Sequence, residues 1–210
     1  MEAVLAIVGI LGALLIGVVS PGPSFVLVAR TAVAVSRRDG LAAAVGMGLG
    51  GVIFGTLALV GLVAILARIE WLYFGLKLLG GFYLLYLAVG IWRGAKDPVV
   101  VSRNAAGEPA GSGRSFLLAL ATQVSNPKAA IVYASVFAAL LPPSMPGWTY
   151  IALPPLIFAL ETAWYAIVAL AFSADRPRAA YFRSKVWLDR LAGTVMGLLG
   201  LRLIAEAARG

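Results

Sequence analysis

Six long apolar runs decide what this chain can become. Val4–Val35 carries a single charge, Arg30, and is followed by Leu41–Ala67, Trp71–Trp92, Ser115–Leu141, Gly147–Ser173 and Trp187–Ala207. A helix needs roughly 20 apolar residues to cross a hydrocarbon core of about 30 Å, and each run is long enough. In lipid, backbone N–H and C=O groups must be paired within the segment, so such runs fold as helices. The composition agrees: 61% of residues are hydrophobic and 12% charged, where ordinary globular chains have about 25% charged residues. A soluble domain of 210 residues could not cover its surface with so few polar groups. The expected fold is an all-α membrane protein with six transmembrane helices. The first residues, MEAVLAIVGILGALL, lack a basic leader and read as a retained helix.

The net charge of +8 would suggest nucleic acid in a soluble protein. Here the basic residues sit between apolar runs and set orientation instead. Twelve of the 17 basic residues flank loops 1–2, 3–4 and 5–6: Arg30, Arg37, Arg38, Arg93, Lys96, Arg103, Arg114, Arg176, Arg178, Arg183, Lys185 and Arg190. Arg68, Lys77, Arg202 and Arg209 belong to the other side. The basic loops are therefore expected in the cytoplasm, with both termini outside. The chain has no Cys and no His, which excludes thiol chemistry and removes the commonest metal ligand and general base. No cofactor or metal is expected.

The polar stretch 93–114 divides two stretches of three spans each, 1–92 and 115–210. The halves resemble each other. VSPGPSFV at Val19–Val26 aligns with VSNPKAAI at Val124–Ile131, and GVIF at Gly51–Phe54 with ETAW at Glu161–Trp164. LGGFYLLYLAVG at Leu79–Gly90 aligns with LAGTVMGLLGLR at Leu191–Arg202. Three spans per copy force the second copy to cross the membrane upside down. Inverted repeats of this kind are a common architecture of secondary transporters.

Two runs are interrupted at their midpoints, the first by Pro21–Gly22–Pro23 and the fourth by Asn126–Pro127. Proline lacks an N–H and clashes with the preceding turn. Freed backbone groups at mid-depth are tolerated where protein or a water-filled cavity meets them. Asn suits an N-cap and Pro the first helical position. Each break should thus begin a half-helix whose positive end points inward and suits a carboxylate. Lys128 and Glu161 are charges near mid-depth, where intramembrane ionisable groups are functional by default; they would handle substrate charge or form an ion pair with each other. Thr56 and Tyr133 are candidate polar lining or packing residues.

The pattern SPGPS, RRDGLAAAVGMGLG, LKLLGGFYLLYLAVGIWR, SNPKAAIVYASVFAALLPP, ETAWYAIVALA and RLAGTVMGLLGLRL resembles the LysE/RhtB family of bacterial amino-acid exporters almost from end to end. The resemblance implies efflux of an amino acid or close derivative across the bacterial inner membrane, driven by proton antiport. Its partners would be a small amino-acid substrate and the bilayer, without nucleic acid; a homo-oligomer stays open. The substrate-binding set carried over is Ser20, Pro21, Gly22, Pro23, Ser24, Ser125, Asn126, Pro127, Lys128 and Glu161, with Glu161 as proton carrier. Two positions depart from the pattern. Ser24 stands where the family often has Asn, and Gly51 where many members have an acidic or polar residue. A carrier of another small solute or ion is the nearer alternative. An intramembrane hydrolase pairing Ser125 or Ser20 with Lys128 is the more distant one.

Overall fold

The computed structural model describes the backbone of residues 2–66, 70–97, 111–142 and 145–209, and their side chains except those of 62–66, 70–73, 76 and 175–182. It is all-helical among these residues. The elements are α1 (Glu2–Val19), α2 (Pro23–Ala34), α3 (Arg37–Leu66), α4 (Glu70–Gly94), α5 (Ser112–Val124), α6 (Pro127–Leu140), α7 (Trp148–Phe172) and α8 (Asp175–Ala207). Most of the polar stretch between the halves, residues 98–110, lies outside the described residues, as does Arg68.

The two interrupted runs are each cut into two helices, α1–α2 and α5–α6, with Pro23 and Pro127 at the first helical positions. Glu2–Val19, Arg37–Gly61 and Trp148–Phe172 are long and apolar enough to cross a membrane. The apolar helices Pro23–Ala34 and Pro127–Leu140 are shorter because of those breaks. One expectation needs correction: the last helix starts at Asp175, not Trp187, so the segment read as loop 5–6 is mostly helix. Charge had masked its helical nature.

Local chemistry sets the remaining boundaries. Ser36 caps α3: its Oγ accepts from Asp39 N–H at 3.0 Å and donates to the Asp39 carboxylate, a serine N-cap on the third helical residue. Ser115 Oγ donates to Asp39 Oδ1 at 3.1 Å, tying α5 to that helix start.

Helix α3 crosses α7, and α4 crosses α8, both antiparallel. On α3, Gly48 faces Phe158 and Thr162, Gly51 faces Glu161, and Gly55 faces Ile157. On α4, Gly81 meets Gly200, while Ala88 and Trp92 meet Gly193. Small residues at such crossings let backbones approach closely in lipid. Two apolar clusters result. One gathers Ile10, Leu14, Phe137, Ile157 and Met196; the other gathers Phe25, Val28, Met47, Tyr165 and Phe172. Large apolar side chains also cover the outside, among them Ile151 at 80% and Leu79 at 74% exposure. Such a surface suits lipid rather than water.

Candidate functional site

The two helix breaks meet between these clusters. Gly22 is the N-cap residue of α2, in extended conformation and without a side-chain cap. Asn126 caps α6, its Oδ1 accepting from Lys128 N–H at 3.0 Å. The breaks are then joined side to side. Lys128 Nζ donates to the Ser20 carbonyl at 3.1 Å, and Asn126 Nδ2 donates to Ser24 Oγ at 3.0 Å. The first N–H groups of a helix have no partner within it. Two such starts beside a lysine therefore form a positive region fit for an anion.

A chain of hydrogen bonds leads from this region to Glu161. Ser24 Oγ donates to Gln123 Oε1 at 2.5 Å, and Gln123 Nε2 donates to Glu161 Oε2 at 2.9 Å. From the other side, Tyr133 Oη donates to Glu161 Oε1 at 2.7 Å. Every donor in the sequence Asn126, Ser24, Gln123 points towards Glu161, so each bond polarises the next. Glu161 is fully buried. Its carboxylate still has lone-pair capacity for further donors.

A cavity of about 30 Å³ lies among Ser20, Gly22, Ser24, Gln123, Lys128 and Glu161. That is room for about two waters, so the site is closed around its polar groups. A larger cavity, about 760 Å³, lies beside it. Ser20–Pro23 and Lys128 form one wall, and the last turns of α4 with Lys185 and Asp189 of α8 form the others. Ser20, Gly22 and Lys128 line both spaces and separate them.

Of the ten residues expected at the site, Ser20, Gly22, Ser24, Asn126, Lys128 and Glu161 line the small cavity, and Pro21 and Pro23 line the large one. Ser125 and Pro127 are exposed and line neither. Pro127 acts by starting α6, while Ser125 is the last cap of α5. Tyr133 is lining, whereas Thr56 is exposed on another face of α3. No ion pair joins Lys128 to Glu161 among the described residues; each has the neutral partners named above. Gln123 and Tyr165 complete the polar lining. Gln123 was visible as a lone amide in the apolar stretch before SNPK, but Tyr165 carried no signal separating it from packing aromatics. The Ser–Lys hydrolase arrangement finds no support, because Lys128 contacts the Ser20 carbonyl, not its hydroxyl, and Ser125 lines neither cavity.

Comparison with known proteins fits this geometry. A family profile described as "LysE type translocator" matches residues 15–207. The chain is 34% identical to a threonine efflux protein of Escherichia coli strain K12 over 191 residues, covering 90% of this chain and 93% of that protein. It is 35% identical to a threonine efflux protein of Salmonella typhi over 195 residues, with 90% and 93% coverage. An uncharacterized membrane protein of Haemophilus influenzae is 28% identical over 192 residues, with 90% and 91% coverage. No solved structure matches. A positive region between two broken helices, a buried carboxylate and a family match along nearly the whole chain lead to one conclusion: this protein belongs to the LysE family of translocators.

Proposed function

We propose that the chain exports an amino acid from the cytoplasm by proton antiport, through a site between two inverted three-helix repeats. The observation that carries this reading is the joining of the two helix starts to Glu161 by one hydrogen-bonded chain. An amino acid is a zwitterion and needs a positive and a negative end. Its carboxylate would lie at the starts of α2 and α6, against Ser20, Gly22, Asn126 and the Lys128 ammonium. Its amine would lie at Glu161, and Ser24 would lie between. Pro21, Pro23 and Pro127 keep those helix starts open. Relatives named threonine efflux proteins make threonine the first substrate to try.

The helix crossings support the inverted repeats. In the alignment of halves, Gly81 corresponds to Gly193 and Ala88 to Gly200. The contact of Gly81 with Gly200 thus has its counterpart in that of Gly193 with Ala88. Gly51 corresponds to Glu161, and these two face each other directly. Both pairs of helices behave as if related by a two-fold axis through the Gly51–Glu161 contact. Six spans with both termini periplasmic complete the picture, and the large cavity then opens towards the basic, cytoplasmic side.

Coupling follows from the carboxyl group. As a carboxylate, Glu161 accepts from Gln123 and Tyr133 and can take an ammonium. Protonated, one of its oxygens becomes a donor, so the donor facing it must turn away and the ammonium is released. Turning Gln123 disturbs Ser24 and Asn126 at the helix starts. One proton taken from the periplasm thus loosens both ends of the substrate site. Uptake of labelled amino acids into proteoliposomes tests the function. Substrate should accumulate when the lumen is acidic, and absence of uptake for every amino acid tried would refute the exporter reading.

A further inference from the structure

The large cavity holds a carboxylate that this cycle does not use. Asp189 lies on α8 and lines the cavity together with Lys128. It is 3% exposed. Lys185 Nζ donates to Asp189 Oδ2 at 2.7 Å, to the Gly94 carbonyl at 2.9 Å and to the Ala95 carbonyl at 3.1 Å. An ammonium has three donors, so Lys185 is fully used in tying α8 to the end of α4. Asp189 Oδ1 has no hydrogen-bond partner among the described residues. A structural ion pair accounts for Lys185 and for Oδ2, but not for a buried carboxylate oxygen without a donor. The other acidic residue at this cavity, Asp97, is exposed and can be satisfied by water.

We infer that the Asp189 carboxylate binds the ammonium group of an α-amino acid in the large cavity, its side chain turning to bring the unpaired Oδ1 to the ligand, while Lys128 and the start of α2 receive the substrate carboxylate. This is a loading site that the substrate occupies before it reaches Glu161. The cavity volume of about 760 Å³ is in the usual range for small-molecule sites. Opposite charges on two walls orient a zwitterion as it approaches. Lys128, shared by both cavities, can hold the carboxylate while the amine moves from Asp189 to Glu161. The inference rests on the exporter reading.

The test compares an amino acid with the 2-hydroxy acid of the same side chain, in which a hydroxyl replaces the amine. Binding is measured on the purified full chain in detergent. In Glu161→Gln the amino acid should still bind more tightly than the hydroxy acid. Adding Asp189→Asn should weaken amino-acid binding about tenfold or more and leave the hydroxy acid unchanged, the loss expected for a hydrogen bond between charged groups. If Asp189 serves only to hold helices together, Asp189→Asn will weaken both ligands alike, and the inference is overturned. Should the Asn variants fail to fold, Glu161→Gln alone decides, because loss of all preference for the amine there overturns it equally. If the unmodified chain binds none of the protein amino acids, the exporter reading fails and takes this inference with it. Binding by the unmodified chain, with the preference for the amine intact in the double variant Glu161→Gln, Asp189→Asn, overturns the loading site alone.

Discussion

Replacing Gly51 by Ala should damage the site from outside it. A Cβ at Gly51 would lie 2.7 Å from both Glu161 Cδ and Oε2 and 2.8 Å from Tyr133 Oη. Ordinary contact begins at 3.4 Å, so the overlap is about 0.7 Å. Both neighbours are held in place by bonds and packing that a retreat would break. Glu161 is fully buried and held at both oxygens. Tyr133 packs against the rings of Phe54 and Phe137, with centroids 5.9 and 6.3 Å away. Overpacking of this kind costs about 1–3 kcal/mol. Breaking a hydrogen bond to a charged group costs about 1.5–3 kcal/mol. The two overlap as relaxation exchanges one for the other, giving about 2–4 kcal/mol for the substitution. Thermal unfolding in detergent and transport in proteoliposomes would both report it. Gly61→Ala on the same helix is the control, since nothing among the described residues lies within 4 Å of a Cβ there. Equal stability and transport in Gly51→Ala and Gly61→Ala would refute the argument that position 51 must be empty for Glu161 to sit where it does.

Gln123→Leu should uncouple the helix starts from Glu161. It removes a donor and an acceptor from buried partners, each worth about 1–3 kcal/mol if left unpaired, so lower thermal stability and transport reduced tenfold or more are expected. Pro127→Ala should insert and fold normally yet lose most transport, because Ala lets the α5 and α6 helices continue into one another; wild-type transport would reduce the break to a kink. A reporter fused after Gly210 should be active only if it works in the periplasm, and cytoplasmic activity would contradict the orientation drawn from the basic loops.

The helices and the two breaks were legible because lipid imposes strict rules. Long apolar runs must be helical, and Pro21–Pro23 and Asn126–Pro127 can interrupt them only where the interior meets the freed groups. Glu161 and Lys128 stood out as charges where charge is expensive. Other parts were hidden for reasons of the same kind. The length of α8 was obscured because its first turns are charged and lie where hydropathy ends. Asp189 reads as one of several charges near a span end until its burial is known. Gln123 needs the crossing of α3 and α5 to bring it beside Glu161, with Gly50 giving its side chain space. In the sequence, Gly51 stands out as a missing polar group. Its role as the space that Glu161 occupies depends on the α3–α7 crossing, which no run of residues spells out.

Proton antiport as proposed depends on Glu161 as the group that exchanges a proton for substrate. Its direct test is uptake of a transported amino acid into proteoliposomes with an acidic lumen, comparing the unmodified chain with Glu161→Gln. Glutamine keeps the shape and one acceptor but cannot carry a proton or a negative charge. Accumulation driven by the pH gradient is expected in the unmodified chain, and its loss in Glu161→Gln, with folded protein recovered in equal amount. Equal gradient-driven accumulation in the two would contradict this role and leave Glu161 a structural charge.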